Sequence, residues 1–141
     1  MNAMQHAQRD QPCIAIINTS EETLQLLQEL MIEEGFATVT AYVPEFKRGE
    51  RDIDAFFQEH QPQAVLYDIA IPYIENWTFF QEQVLARDLL PATCFVITTT
   101  NRTVLEMLVG ATNAIEMIGR PFDLEIIVQA VHRAMDRSRT A

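Results

Sequence analysis

The sequence predicts an α/β protein with one parallel, doubly wound sheet of five strands. Short runs of apolar residues alternate along the chain with segments in which apolar residues recur at helical spacing. Most of the short runs are apolar without alternation, which is typical of strands that are covered on both faces. Helices that cover both faces of such strands produce a parallel sheet.

Five segments have the pattern of strands, and each is followed by a segment with the pattern of a helix. The predicted strands are residues 13–17, 36–43, 64–67, 93–97 and 114–118. The second of these alternates, with Val39, Ala41 and Val43 on one face. The resulting five strand–helix units predict that polar residues at the carboxyl ends of the strands form any ligand site.

Local signals predict where several helices begin and end. Thr19 and Glu22 have the spacing of a capping box, and Gly35 predicts the end of the same helix. Asp52, Asn101 and Asp123 are predicted N-caps of later helices.

Residues 74–87 are predicted to be helical, with Trp77, Phe80 and Val84 on one face.

The segment 44–51 is predicted to be a mobile loop without a catalytic role. It contains proline, glycine and several charged residues. It is also long for a connection between a strand and a helix. The alternative interpretation is an insertion that is specific to a partner protein.

Length and composition predict one domain in a cytoplasmic protein. The chain has 141 residues, of which 48% are hydrophobic, enough for one core. The domain is predicted to span residues 13–137, with a disordered tail at 1–12 and a second tail at 138–141. We find no apolar run near the ~20 residues of a membrane span and no secretory leader.

Charge and metal-ligand patterns exclude several classes of function. The formal net charge of −10 disfavours direct binding to nucleic acids and to anionic membranes. Cys13 and Cys94 are predicted to be buried thiols in a reducing compartment, because they lack the spacing of a zinc site. The histidines are scattered singly, and no motif of a hydrolase, metalloprotease or nucleotide-binding loop is present.

Three predicted strand ends carry residues that suit a phosphoryl group. Asp68 offers a carboxylate that could accept a phosphoryl group, and Thr98 offers a hydroxyl donor. Arg120 offers a permanent cation with a planar guanidinium that can clamp phosphate oxygens. Each residue alone has an ordinary structural explanation, but their occurrence at three strand ends favours a shared site.

This pattern resembles that of the response-regulator receiver domains. Asp68 and Pro72 are similar to the D-x-x-x-P of that family, and Arg120-Pro121-Phe122 resembles its Lys-Pro-Phe segment. The intervals from Asp68 to Thr98 and from Thr98 to Arg120 are also similar, and the resemblance covers residues 13–137. It implies a flavodoxin-like sheet with the order 2-1-3-4-5. It also implies that Asp68 is the phosphoacceptor position and that Thr98 and Arg120 contact the phosphoryl group.

The sequence departs from the family pattern at four positions. Asn18 and Thr19 stand where the family carries the acidic pair that holds Mg²⁺, so metal binding is predicted to be weak or lost and no cofactor is expected. Met117 stands at the aromatic switch position. Asn76 stands where the family has a glycine, and asparagine tolerates a positive φ there.

Three functions remain open from the sequence. The favoured one is a signalling module of two-component type that is not an enzyme and has weak or no metal-dependent phosphorylation at Asp68. It would act by binding another signalling protein: a histidine kinase, a phosphotransfer protein or an output protein. The second is a genuine phosphoacceptor response regulator that a histidine kinase phosphorylates on Asp68. The third is a flavodoxin-like cofactor binder, although Glu21 and Glu22 would oppose phosphate at the first loop. A homodimer is compatible with the first two.

Overall fold

Five parallel strands form one sheet in the order β2-β1-β3-β4-β5, which confirms the predicted fold class. The structure is a computed structural model that describes residues 11–110, 115–119 and 122–140. For residues 139 and 140 it describes the backbone alone. The strands are β1 (Cys13–Asn18), β2 (Ala37–Tyr42), β3 (Ala64–Ile69), β4 (Phe95–Thr99) and β5 (Glu116–Ile118). Because the strands are parallel, their carboxyl ends meet at one edge, where the sequence predicted the site.

Six α-helices cover the sheet in the part of the chain that the structure describes. They are α1 (Glu21–Glu33), α2 (Val43–Lys47), α3 (Ile53–His60), α4 (Tyr73–Gln83), α5 (Arg102–Val109) and α6 (Leu124–Thr140). Short 3₁₀ turns follow α4 at Leu85–Arg87 and precede β4 at Ala92–Cys94. Helix α6 continues past residue 137, where the domain was predicted to end. No helix in the described ranges is both long and apolar enough to cross a membrane.

Two strand boundaries matter for the site. Strand β3 continues through Ile69, so Asp68 belongs to the strand and pairs in register with Thr98 of β4. Strand β4 begins at Phe95, two residues later than predicted, because Ala92–Cys94 forms a 3₁₀ turn instead. The ladder therefore fixes the backbone of both residues, which a flexible loop would not do.

The first helix is capped by Ser20, so the predicted capping box at Thr19 is wrong. Ser20 Oγ accepts a hydrogen bond from the Thr23 amide at 3.3 Å. The Asn18 side chain holds the Ser20 amide, and the helix consequently begins one residue later. The helix ends as predicted, with Gly35 at φ +93° and the Phe36 amide bonded to the Met31 carbonyl.

The other predicted caps are confirmed. Asp52 Oδ2 accepts from the Ala55 amide at 2.8 Å, and Asn101 Oδ1 accepts from the Val104 amide at 3.1 Å. Asp123 Oδ1 accepts from the Glu125 amide at 2.9 Å at the start of α6. Each side chain satisfies one of the amides that the first turn of a helix leaves without a partner.

The segment 44–51 was predicted to be a loop throughout, and this is wrong for its first half, which forms helix α2. Pro44 lies in the first turn, where its missing amide costs no hydrogen bond. Phe46 is buried and packs edge-to-face on Phe56. Burial of this ring anchors the segment to the core, and the turn of 48–51 follows it.

The core has one layer on each face of the sheet. Tyr67 and Phe80 belong to the layer under α3, α4 and α5, and Trp77 packs on Phe80 there. The opposite layer contains Leu66 and residues of α1 and α6. Cys94 is buried as predicted, whereas Cys13 is only half-buried, and burial raises the pKa of both thiols.

Candidate functional site

Asp68 and Thr98 form the centre of the candidate site. Thr98 Oγ1 donates a hydrogen bond to Asp68 Oδ1 at 2.8 Å. Thr98 is only 3% exposed, whereas the Asp68 side chain is half-buried and faces the strand ends. The ladder between β3 and β4 places the carboxylate beside the hydroxyl, as the sequence predicted. The Asp68 carboxylate is consequently oriented by the Thr98 hydroxyl and remains accessible to solvent.

The third predicted phosphoryl contact, Arg120, lies outside the described residues. Its neighbour Gly119 follows β5 and lies tightly against helix α5, since a Cβ added there would come within 2.6 Å of Arg102 Cβ. The close approach of α5 explains why a residue without a side chain stands at this position. The sequence also predicts an ion pair between Asp68 and Arg120, because both stand at strand ends, and this pair stays a prediction.

Asn18 occupies the end of β1, at the first of the two positions where the family resemblance implies an acidic pair. Its side chain is only 4% exposed, and Oδ1 accepts a hydrogen bond from the Ser20 amide at 2.9 Å. Thr19 follows and is half-buried. The amide oxygen of Asn18 therefore stabilises the turn into α1. Unlike a carboxylate, this side chain carries no charge.

Asn76 forms a second hydrogen-bonded group beside the loop that follows Asp68. It was predicted to tolerate a positive φ, but it lies inside α4 and has none. Its side chain is 7% exposed, and Nδ2 donates to the Ala70 carbonyl at 2.8 Å. Its Oδ1 accepts from the ammonium group of Lys47. Asn76 therefore joins helix α2 to the turn that follows Asp68.

Lys47 is a site residue that the sequence did not indicate. Its ammonium group reaches Asn76 from helix α2, and it also lies 5.5 Å from the centre of the Phe79 ring. No local pattern around Lys47 could have shown this, because the contact joins two helices that are distant in sequence. It places a cation next to the start of α4, close to the loop that follows Asp68.

A third contact joins α4 to the loop after β4. The hydroxyl groups of Tyr73 and Thr100 are hydrogen-bonded. Thr99 is fully buried, and its Oγ1 accepts from the Asn101 amide at 3.4 Å. The three threonines at this strand end thus have separate partners: Thr98 bonds Asp68, Thr99 bonds the backbone and Thr100 bonds Tyr73.

Comparisons with known proteins identify the fold. No family model and no curated protein matches the sequence. A receiver protein from Sinorhizobium medicae matches the structure with a TM-score of 0.63 at 13% identity, over 92% of this chain and 98% of that one. The chemotaxis protein CheY4 of Vibrio cholerae gives 0.61 at 17% identity, over 88% and 98%. The RcsC C-terminus of E. coli, with its phosphoreceiver domain, gives 0.66 at 18%, over 93% and 48%.

The chain has the fold of a response-regulator receiver domain. In this receiver fold, Asp68 and Thr98 lie together at the carboxyl ends of β3 and β4. Met117 lies in β5, in register with Ile97, and is buried in the core layer under α5. A buried, flexible methionine fills space there without offering a polar group to the site.

The described residues at this edge do not fit a magnesium ion. Such an ion prefers charged oxygen ligands in octahedral geometry. Asn18 Oδ1, Ala70 O and Asn76 Oδ1 each accept a hydrogen bond from a protein donor, and the last donor is a cation. In the described part of the chain, no three side chains among His, Cys, Asp and Glu form a group that could hold a metal.

Proposed function

We propose that this chain is a receiver-like signalling module of two-component type that acts through protein–protein interaction. In this proposal, metal-dependent phosphorylation at Asp68 is weak or absent. The observation that carries it is the buried Asn18 side chain, whose oxygen is bonded to the Ser20 amide at 2.9 Å. A neutral, engaged side chain cannot replace the carboxylate of a cation site without loss of affinity.

The chemical reason is charge. Transfer of a phosphoryl group requires neutralisation of the charge on its oxygens in the transition state. The buried side chain at Asn18 is neutral and contributes nothing to that neutralisation. The Lys47 ammonium group is bonded to Asn76, whose amide nitrogen donates to the Ala70 carbonyl after Asp68.

A second function is favoured by one specific observation. Thr98 donates to Asp68 at 2.8 Å, which is the arrangement that a phosphoacceptor carboxylate and a phosphoryl-contacting hydroxyl would need. A genuine response regulator, phosphorylated on Asp68 by a histidine kinase, is therefore the alternative. The two proposals share a fold and differ in whether Asp68 reacts.

The proposed partners follow from the same fold. A histidine kinase, a phosphotransfer protein or an output protein would be the binding partner, and the module would act in the cytoplasm. The net charge of −10 supports a protein partner over direct contact with nucleic acid.

The test is incubation of the full chain with acetyl phosphate and Mg²⁺, followed by intact mass measurement. We expect little or no addition of a phosphoryl group to the parent protein. Asp68→Ala is the control for site identity, and Asn18→Asp with Thr19→Asp is the positive control for the missing acids. A stoichiometric adduct on the parent that Asp68→Ala abolishes would replace the first proposal with the second.

A further inference from the structure

An apolar groove lies between the start of α4 and the outer face of α5. It has a volume of about 570 Å³ and is lined mainly by Tyr73, Ile74, Glu75, Met107 and Leu108. Ile74 is 67% exposed and Met107 is 80% exposed, although both are large apolar side chains. Ile71, next to the groove in sequence, is 71% exposed. Large apolar side chains gathered at one exposed place mark an interaction surface.

We propose that this groove binds an amphipathic helical segment of a partner protein, with apolar anchors along one face and lysine or arginine beside them. An amphipathic helix carries apolar side chains at i, i+3, i+4 and i+7, so they lie along one face. That face can pack into an apolar groove between two helices. The inference rests on the proposed function, since it names the surface and the partner chemistry through which the module would act.

Charge selects a basic partner. Glu75 is the charged side chain in the groove lining, and no ion pair joins it to another described residue. The nearby Glu106 is already paired with Arg102 at 2.6 Å. A basic residue on the partner would therefore meet an available carboxylate at the edge of the groove.

The same charge argument disfavours a second copy of this chain as the occupant. The chain carries a net charge of −10, so two copies repel each other at long range. A groove-to-groove contact would also bring the two Glu75 carboxylates towards each other around a symmetry axis. A basic segment is instead attracted by the negative charge of the chain and by the Glu75 carboxylate.

The groove is connected to the candidate site. Tyr73 lines the groove, and its hydroxyl is bonded to Thr100, two residues after Thr98. Thr98 in turn donates to Asp68 at 2.8 Å. A segment that packs on Tyr73 would consequently contact the residue that joins α4 to the Asp68–Thr98 pair.

The experiment uses two fluorescein-labelled helical peptides of about four turns each. Both have leucine along one face; the first has lysine and the second glutamate at the flanking positions. Each is titrated with the full chain at physiological salt, and fluorescence anisotropy is measured. We expect the lysine peptide to bind saturably and the glutamate peptide not to bind.

Matched variants locate the binding. Ile74→Ser and Met107→Ser should each weaken binding about tenfold or more, which corresponds to about 1.4 kcal/mol. Ile32→Ser is the control, because Ile32 is a similarly exposed apolar residue, at 55%, on α1. Glu75→Lys should weaken binding more than Glu29→Lys, which makes the same change of net charge on α1.

Three results would overturn the proposal. The first is an equal effect of Ile32→Ser and Met107→Ser, and the second is no binding of the lysine peptide. The third is self-association of the parent chain in sedimentation velocity that Met107→Ser abolishes, since a second copy would then be the occupant. Binding should persist in Asp68→Ala, so loss of groove binding and unexpected phosphorylation of Asp68 remain separate outcomes.

Discussion

The two sides of the strand-end edge differ in what their side chains bind. On the side of β3 and β4, the carboxylate of Asp68 and the hydroxyl of Thr98 are hydrogen-bonded to each other at 2.8 Å. At the end of β1, the Asn18 side chain accepts from the Ser20 amide. In α4, the Asn76 side chain donates to the Ala70 carbonyl. The receiver fold therefore keeps Asp68 and Thr98 in register, while neutral side chains stand at Asn18 and Asn76.

These hydrogen bonds join different residues on the two sides, although β1 and β3 are neighbours in the sheet. The ladder between β3 and β4 holds Asp68 beside Thr98 whatever stands at the end of β1. The Asn18 oxygen accepts a hydrogen bond in the turn into α1. The Asn76 side chain joins Lys47 of α2 to the Ala70 carbonyl after Asp68. Charge can consequently be removed from one side without loss of the geometry on the other.

The largest expected effect comes from restoring carboxylates with Asn18→Asp and Thr19→Asp. Without metal the double variant should be less stable than the parent, because the new acids repel Asp68 and each other. Free Mg²⁺ at 100 times its Kd should recover about 2.7 kcal/mol, since it binds the native state. Thermal unfolding, followed by the fluorescence of Trp77, measures both changes. A folded double variant that ignores Mg²⁺ would contradict the placement of Asn18 beside Asp68.

The next effect comes from removing the Asn76 side chain. Asn76→Ala leaves the Ala70 carbonyl and the Lys47 ammonium group without their partner, and we expect a loss of about 1–3 kcal/mol in unfolding free energy. Lys47→Met is the matched comparison. It removes one of the two hydrogen bonds of Asn76, and we expect a smaller loss because water can take the place of the exposed lysine. Urea denaturation compares the two variants. An equal loss in both would mean that the lysine, and not the amide, stabilises this loop.

Replacement of Thr98 tests the other side of the edge. Thr98→Val keeps the shape but removes the hydrogen bond to Asp68, and we expect a loss of about 1 kcal/mol. The loss should be smaller than for Asn76→Ala, because the half-buried Asp68 can bind water instead. Thr98→Ser retains the hydroxyl and should restore most of the stability. If denaturation shows that Ser and Val are equally unstable, the hydrogen bond is not the cause.

The smallest expected change is a gain from Tyr67→Phe. Tyr67 precedes Asp68 in β3, and its buried hydroxyl has no hydrogen-bond partner among the described residues. The ring packs on Phe80 with 4.5 Å between centres, so phenylalanine keeps the packing. We expect an increase of up to about 1 kcal/mol in unfolding free energy, because an unsatisfied buried group is lost. A decrease in urea denaturation would show that the hydroxyl has a partner.

The same substitution has a signature at alkaline pH. Burial raises the pKa of the Tyr67 phenol, and the neighbouring Asp68 carboxylate raises it further. The folded state therefore keeps this proton when the unfolded state releases it, at about pH 10. Above that pH the parent should lose stability as pH rises, and Tyr67→Phe should lose less.

Much of the fold was predictable because it depends on local pattern. Continuous apolar strands and helical spacing predicted the sheet, and the motif around Asp68 predicted the strand order. The pairing of Asp68 with Thr98 followed from the rule that parallel strands end at one edge. Short-range signals also located the caps at Asp52 and Asn101.

The errors come from contacts that no local pattern shows. Helix α2 was interpreted as a loop because its proline and charges outweighed the burial of Phe46, which depends on a ring in α3. Asn76 was compared with a glycine, yet its role depends on Lys47 in another helix. The cap of α1 was placed one residue early because Thr19 and Ser20 are both good caps, and Asn18 decides between them.

Titration of the parent protein with Mg²⁺ by calorimetry tests the central claim most directly. The claim is that the Asp68 edge holds Mg²⁺ weakly or not at all, since neutral side chains stand at Asn18 and Thr19 and the Asn18 oxygen accepts from the Ser20 amide. We predict no saturable heat at millimolar Mg²⁺ in the parent and saturable heat in Asn18→Asp with Thr19→Asp. Saturable millimolar binding by the parent that Asp68→Ala abolishes would contradict the account.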